Sequence, residues 1–259
     1  METQQGIDGF FNFIEDQRQE CIKLPEHLSS ILLVVLLDTL AKCAYPKETE
    51  NRKRFVQLID RYSDWKYKDR VSLLILNDLL SRPPASKHQE LKRFVENTLG
   101  EWPHHRILRP EEADPLKQDL YKLQPDQDQD KLIERARYAS LLWVYRNFRV
   151  HEFRQPALGG KLSKDNSTPY YLGVIPEILV IPEPIDEDKL AEFCASLLAD
   201  IEADSDSLFL PPPEWQFYIP PEVIASLVET CSVNLKAYFR EKNRNPYDSF
   251  KFGSSWFIS

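Results

Sequence analysis

The stretch QDKLIERARYASLLWVYRNFRVHEF, residues 129–153, carries the clearest helical pattern in the chain. Small and apolar residues recur in it at spacings of three and four, which is typical of a helix buried along one side. These residues are Ile133, Ala136, Ser140, Trp143 and Val144. Asp130 can cap or favour the N-terminus of such a helix. The stretch therefore predicts one long helix and, with the helical patterns on either side of it, a mainly α fold.

The end of this stretch brings together cations, an amide and an imidazole. The segment RNFRVH contains Arg146, Asn147 and His151, while Arg149 and Arg154 supply further positive charge. On a helix Asn147 and His151 share one face, whereas Arg146 and His151 lie about 140° apart. A long arginine side chain partly closes that gap. The three kinds of group can therefore converge near the C-terminus of the helix.

These groups suit the cleavage of RNA without a metal. Arginine can bind a phosphate through two parallel hydrogen bonds, and histidine can accept or donate a proton near neutral pH. Asparagine can fix the imidazole or donate to a phosphate oxygen. The ribose 2′-hydroxyl would be the nucleophile, and Arg149 and Arg154 would bind the RNA backbone. The same residues also fit an ordinary helix end, where arginine and histidine interact with the last carbonyl groups.

The motif resembles that of the HEPN superfamily, α-helical domains many of whose members are ribonucleases. The signature of that family is an arginine, often followed directly by a polar residue, and a histidine a short distance later. Arg146, Asn147 and His151 match its RNxxxH form. The later segment NRNPYDSFKFGSSWF, residues 243–257, is similar to the C-terminal end of bacterial proteins in this group. Phe153 stands where a subset with nucleotidyltransferase antitoxins has tyrosine, so regulation by modification of that tyrosine is not supported.

The resemblance implies a helical bundle whose penultimate long helix ends in the signature, and a homodimer in which two signatures meet across one cleft. It implies a metal-independent endoribonuclease, acting as a toxin or an antiviral defence effector, with no cofactor. The catalytic residues would be Arg146, Asn147 and His151, and the RNA-binding residues Arg149 and Arg154. Partners would be RNA, a second copy of the chain, and an antitoxin or defence-system protein. The alternatives are a non-catalytic HEPN-like module that binds RNA, nucleotide or protein, and a helical scaffold that does not touch nucleic acid.

Helical patterns also precede and follow this stretch. They cover residues 24–45, 49–65, 68–81, 86–100, with Ser86 as N-cap, and 221–243. The polar, proline-broken segment 102–130 is predicted to be a connection. The whole chain, 1–259, is therefore expected to form a single HEPN-like domain, with the aromatic tail YDSFKFGSSWFIS, at 247–259, docked on its body.

Residues 155–220 are predicted to form a lobe inserted before the last long helix. The runs YYLGV, at 170–174, and EILVIP, at 177–182, predict a short hairpin or two edge strands. Residues 186–204 have a helical pattern, and LPPPEWQFYIPP, at 210–221, is predicted to be an extended link.

Composition limits the classes of function. The net charge of -8 argues against a broad electrostatic grip on nucleic acid, so an RNA site would be a local basic patch. The four cysteines are scattered and predict reduced thiols. The start of the chain lacks a secretion signal, and the apolar run 31–37 is too short to span a membrane. A cytoplasmic protein without a membrane segment is therefore expected.

Three further groups are candidates for a role in the site. His104 and His105 have no third ligand at convincing spacing, so no metal site is predicted. Asp38 lies within the apolar run and needs a partner if it is buried, for which Arg146 and Arg149 are candidates. The basic runs at 51–55 and 66–70 can widen an RNA surface but are more typical of the solvated side of a helix.

Overall fold

A computed structural model describes residues 2–82, 89–102, 107–151, 168–174 and 214–250. Over these residues the chain is mainly α-helical, which confirms the predicted class. The α-helices are α1 (Glu2–Ile22), α2 (Glu26–Ala44), α3 (Asn51–Tyr62), α4 (Leu73–Ser81), α5 (Gln89–Gly100), α6 (Pro110–Ala113), α7 (Lys117–Leu120), α8 (Gln127–Ala136), α9 (Tyr138–His151) and α10 (Pro221–Lys242). The strands are β1 (Ile107–Leu108), β2 (Tyr170–Val174) and β3 (Glu214–Tyr218), and 3-10 turns cover Tyr121–Leu123 and Pro246–Ser249.

The chain divides into two compact units. Unit 1 consists of Met1–Lys68, Leu142–Glu152 and Ile224–Ser259, and unit 2 consists of Asp69–Leu141 and Phe153–Val223. The expectation of one domain with an inserted lobe at 155–220 stays a prediction. β1, however, lies before that segment in the chain and pairs with β2 inside it.

Unit 1 is built on long helices whose apolar faces meet. Phe11 of α1 and Phe239 of α10 are almost fully buried, with ring centroids 6.1 Å apart. Asp8 Oδ1 lies 2.6 Å from Arg240 Nη2, and later in α1 Arg18 Nη1 lies 3.5 Å from Glu229 Oε2. These pairs run in opposite directions along the two helices, so α1 and α10 are antiparallel.

The C-terminal tail docks where the structure describes it. The ring of Phe250 lies 5.9 Å from that of Phe10, and the Nζ of Lys42 lies 5.9 Å from the centroid of Phe250. The predicted docking of the tail is confirmed for this residue. Residues 251–259 lie outside the described part of the chain.

Helix α2 is the most apolar helix of unit 1. Among the described residues it is the single helix long and apolar enough to cross a membrane, since it extends beyond the run 31–37 to 19 residues. Half of its apolar window is buried inside the protein. Leu33 and Leu37 are fully buried, whereas Leu28 and Leu32 are about two-fifths exposed. Core helices of globular proteins meet the same two criteria.

Unit 2 contains a three-stranded antiparallel sheet in the order β1-β2-β3. Leu108 pairs with Tyr171, and Tyr171 pairs with Phe217 on its other side. β2 is therefore the central strand, so the alternative of two edge strands is wrong for this run. β3 lies within the segment predicted to be an extended link, which corrects that prediction as well. The run 177–182 lies outside the described residues.

The predicted helix over 129–153 is two helices. Arg137, between α8 and α9, has an extended ψ of 139°. The backbone there pairs with the segment before α4, because Ser72 N donates to Ala136 O at 3.0 Å and Tyr138 N donates to Arg70 O at 2.8 Å. The prediction of one long helix is wrong because this tertiary pairing overrides a continuous helical pattern.

The segment 102–130 is more structured than predicted. It contains β1, α6, α7 and the first turn of α8, whose N-cap is Asp126 rather than Asp130. Asp126 accepts hydrogen bonds from the backbone of Asp128 and Gln129, each at 2.8 Å. The helix predicted over 86–100 is confirmed from Gln89 to Gly100, and Ser86 lies outside the described residues.

Candidate functional site

The RNFRVH motif lies at the end of α9, as predicted. The backbone is helical through His151, so the motif does not unwind before that residue. Position 151 is seven residues after Val144 and four after Asn147, which places all three within about 60° on the helix. Position 151 is about 140° from Arg146 on the same helix.

The sides of α9 differ in exposure at this end. Leu142 is fully buried and Tyr145 is 3% exposed, whereas Val144 is 39% exposed. The Arg146 side chain is 13% exposed. The structure thus separates an inward side, with Arg146, from an outward side, with Val144 and backbone position 151.

Arg146 is fixed by contacts within unit 1. Its Nη2 donates to Asp38 Oδ2 on α2 at 3.0 Å, and its Nη1 donates to Asn147 Oδ1 at 3.1 Å. The guanidinium also lies 4.8 Å from the ring centroid of Trp143, at cation–π distance. Trp143 packs in turn on Phe55 of α3, with ring centroids 5.4 Å apart. Of the two partners predicted for Asp38, Arg146 is confirmed, and the side chain of Arg149 lies outside the described part of the chain.

Sequence reasoning did not single out Arg54, a second guanidinium beside Asp38. Its Nη2 lies 4.0 Å from Asp38 Oδ1, and its side chain is 13% exposed. Arg54 lies in the basic run 51–55, whose composition is more typical of the solvent-exposed side of a helix. A usable signal was the four-residue spacing from Arg54 to the buried Leu58, which places both residues on nearly the same face of α3.

Three predicted site residues are described only in part or not at all. Arg149 and His151 have helical backbone, but their side chains lie outside the described part of the chain, and Arg154 lies wholly outside it. Position 149 is four residues after Tyr145 and seven after Leu142, both buried, so it falls on the inward side of an ideal helix. The roles of all three stay predictions.

No group of three or more metal-binding side chains is found among the described residues. His104 and His105 lie outside them. Cys21, Cys43 and Cys231 are free thiols in buried positions, as expected for reduced cysteines. Burial raises the pKa of Cys43 and of Cys231 to about 12. Both are therefore protonated at neutral pH and unsuited to nucleophilic chemistry.

Unit 2 contains a second acid with very different surroundings. The Oδ2 of Asp114 accepts hydrogen bonds from the hydroxyls of Tyr138 and Tyr171, each at 2.6 Å, and its Oδ1 accepts from Leu73 N at 2.8 Å. Burial raises the pKa of Asp114 to about 6, although these hydrogen bonds lower it in part. These three donors from the described residues are all neutral groups, which is the arrangement of a structural acid.

Comparison of the whole chain with protein-family models, with curated protein sequences and with solved structures finds no match. Function is therefore inferred from the RNFRVH motif and from the side chains around Arg146.

Proposed function

We propose that the protein is a metal-independent endoribonuclease of HEPN type, acting as a toxin or an antiviral defence effector. The observation that carries the proposal is the fixed guanidinium of Arg146. Asp38 and Asn147 bind it at 3.0 and 3.1 Å, on a helix that continues to His151. A phosphate-binding arginine is most effective when its supporting residues hold it in place before the substrate arrives.

Each residue of the motif has a distinct role in the proposed reaction. Arg146 donates to the scissile phosphate and stabilises its developing charge. Because a guanidinium has five N–H donors, it can do so while keeping the bond to Asp38. His151 transfers a proton, and Asn147 holds the geometry.

In the cleavage step the ribose 2′-oxygen forms a bond to phosphorus, and the bond from phosphorus to the 5′-oxygen breaks. A base takes the 2′ proton, and an acid gives a proton to the leaving 5′-oxygen. This step leaves a 2′,3′-cyclic phosphate on one product and a 5′-hydroxyl on the other. Addition of water to phosphorus, with breakage of its bond to the 2′-oxygen, then gives a 3′-phosphate. No electron transfer or cofactor is needed.

The proposed active form is a symmetric homodimer. One motif offers a single imidazole, whereas the reaction uses both an acid and a base. The helical spacing also separates Arg146 from position 151 within one copy. A two-fold interface would supply a second set of the same groups. Analytical ultracentrifugation should therefore show a dimer at micromolar concentration, and a monomer that still cleaves RNA would contradict this part.

The central experiment compares RNA cleavage by the wild type, His151→Ala and Arg146→Ala, each checked for folding by circular dichroism. Loss of the proton-transfer group should slow cleavage by about 100-fold or more. His27→Ala, at an exposed histidine of α2, is the matched control for the first change. Arg82→Ala, whose guanidinium is exposed and paired with Asp78, is the matched control for the second. Equal rates for the wild type and His151→Ala would exclude catalysis by this motif.

Two further measurements test the reaction class. Cleavage should persist in chelator, and a DNA oligonucleotide should not be cut, because DNA lacks the 2′-hydroxyl. Loss of activity in chelator, or scission of DNA by the same preparation, would contradict the mechanism.

The second candidate is a non-catalytic HEPN-like module that binds RNA, nucleotide or a partner protein. The observation that favours it is the same Asp38–Arg146 pair, because a mostly buried ion pair between α2 and α9 also has a structural use. Such a module would bind RNA without cutting it and would be insensitive to His151→Ala.

A further inference from the structure

Arg54 is a mostly buried arginine whose guanidinium has few hydrogen-bond acceptors near it among the described residues. Its side chain is 13% exposed, and within the part of the chain that the structure describes its ionic contact is Asp38 Oδ1, at 4.0 Å. That distance is too long for a hydrogen bond. The buried Nε of Arg54 has no hydrogen-bond partner among the described residues, and neither has Asp38 Oδ1.

Such an arrangement is costly unless something completes it. A guanidinium is always charged and carries five donors, and withdrawing it from water without hydrogen bonds is strongly unfavourable. Buried polar groups without partners are uncommon in folded proteins and mark places where a ligand, a water or an ion can bind. Arg54 and Asp38 therefore form an incomplete polar cluster.

The second arginine of this cluster is the one proposed to bind RNA. Arg146 reaches the other oxygen of the same carboxylate from α9, while Arg54 approaches from α3. Two guanidiniums on separate helices thus flank one carboxylate. An anion with several acceptor oxygens, such as a phosphodiester group, matches the donors of both.

We infer that Arg54 is a second phosphate-binding residue of the candidate site and that Asp38 sets the positions of both arginines. The inference rests on the proposed function for its ligand, an RNA phosphodiester. Arg146 and Arg54 donate to oxygens of one phosphate, and Arg54 gains the acceptor that it lacks among the described residues. Arg54 has no part in proton transfer.

The test measures binding separately from cleavage. The probe is a fluorescent RNA in which every 2′-hydroxyl is methylated, so that the proposed nucleophile is blocked. Its affinity for the full chain is followed by fluorescence anisotropy over a range of salt concentrations. The variants are Arg54→Gln and Arg54→Lys. The matched control is Lys53→Gln, which removes the same charge from the adjacent, half-exposed position of α3.

Arg54→Gln should weaken binding about tenfold, since a charge-assisted contact to phosphate is lost. The slope of log affinity against log salt should also fall by about 0.7, the value for one single-strand phosphate contact. Arg54→Lys keeps the charge but loses the planar pair of donors, so a roughly threefold loss is expected. Lys53→Gln should change affinity less than about twofold, with little change in slope.

Three results would overturn the inference: no binding of the probe by the wild type, the same affinity for Arg54→Gln as for Lys53→Gln, or an unchanged affinity for Arg54→Lys. If Arg54→Gln does not fold, the affinity of Arg54→Lys alone decides the outcome. Failure of the proposed function looks different. In that case the Arg54 variants bind the probe more weakly than the wild type, but unmodified RNA is not cleaved or its cleavage does not depend on His151.

Discussion

Asp38 in unit 1 and Asp114 in unit 2 are both withdrawn from water, yet their carboxylates are satisfied in opposite ways. Asp114 is 3% exposed and accepts three hydrogen bonds from neutral groups. Asp38 has a side chain that is 21% exposed, lies between two guanidiniums, and has one oxygen without a hydrogen bond from any described residue. One carboxylate is complete within the described part of the protein, and the other is not.

This difference fits a structural role for Asp114 and the role that we propose for the cluster around Asp38. A satisfied buried network stabilises one arrangement of the chain, because every partner loses a bond if the arrangement changes. Asp114 joins residues from β2 and from the starts of α4 and α9 in this way. Two guanidiniums beside one carboxylate leave an excess positive charge, and where such a cluster retains access to water it is suitable for binding an anion. Stability should therefore depend mainly on Asp114, and RNA binding and cleavage on the surroundings of Asp38.

The largest effect on stability is expected from Asp114→Ala. It leaves the hydroxyls of Tyr138 and Tyr171 and the N–H of Leu73 without their acceptor in a buried site. The free energy of unfolding should fall by about 4 kcal/mol. Urea denaturation measures the loss, and RNA cleavage by the fraction that stays folded should be unchanged. A loss under about 1 kcal/mol would show that the network is not what holds these segments together.

The pH dependence of stability is the next largest effect. Because the pKa of Asp114 is raised to about 6 from an ordinary 3.8, the folded state binds its proton more tightly than the unfolded state. The contribution of the protonated group is therefore fully present below pH 3.8 and is lost as pH rises through about 6. A difference of about 2 pKa units corresponds to about 3 kcal/mol.

Urea denaturation of the wild type and of Asp114→Asn at several pH values between 3.5 and 7 isolates this contribution, as the asparagine does not titrate. As the pH rises over that range, the free energy of unfolding of the wild type should fall relative to that of the variant. Parallel curves for the two proteins would mean that Asp114 titrates normally in the folded state.

The substitution Asp38→Asn tests the proposed role of Asp38, as Asp114→Ala tests that of Asp114. The amide keeps an acceptor for Arg146 but removes the negative charge shared with Arg54, and the site is partly open to water, so stability should fall by only about 1.5 kcal/mol. The affinity for methylated RNA should not fall, because a negative charge beside the phosphate is gone. The maximal cleavage rate should fall about tenfold, as Arg146 is less well oriented. Weaker binding with an unchanged maximal rate would contradict this positioning role.

The sequence predicts α2, α3 and α10 well because their burial is periodic, whereas α1, at Glu2–Ile22, lies before the first predicted helix. The apolar stripes of α2, α3 and α10 are local signals, and the structure places these helices where the patterns predict. The break at Arg137 leaves no such signal, since it results from pairing with residues 70–72 far away in the chain. β3 was missed because prolines flank its aromatic residues and its partner strand is distant.

Within the candidate site, too, the sequence predicts what depends on a local pattern and misses what depends on the packing of distant segments. The pairing of Asp38 with Arg146 could be predicted, because an acid within an apolar helix requires a partner. Arg54 was obscured by its basic neighbours, and its position beside Asp38 depends on how α3 packs beside α2. Asp114 was hidden in a polar, proline-broken segment whose pattern predicts a simple connection.

The smallest effect is expected from Ser72→Ala, at the edge of the Asp114 network. The Oγ of Ser72 caps α4 by accepting from Ile75 N at 3.2 Å, and it lies 2.7 Å from the Tyr171 hydroxyl. Since that hydroxyl gives its one proton to Asp114, Ser72 donates to Tyr171, and the variant loses both bonds.

The free energy of unfolding of Ser72→Ala should be about 1 kcal/mol lower than that of the wild type. In Asp114→Ala the cap of Ile75 N is still lost, but the bond to Tyr171 should contribute less, because Tyr171 no longer donates to Asp114. The loss should therefore be smaller than in the wild type by the share of the Tyr171 bond, and a double-mutant cycle by urea denaturation measures this coupling. Full additivity of the two changes would show that Asp114 and Ser72 act independently and that unit 2 lacks the cooperative network which distinguishes it from the cluster around Asp38.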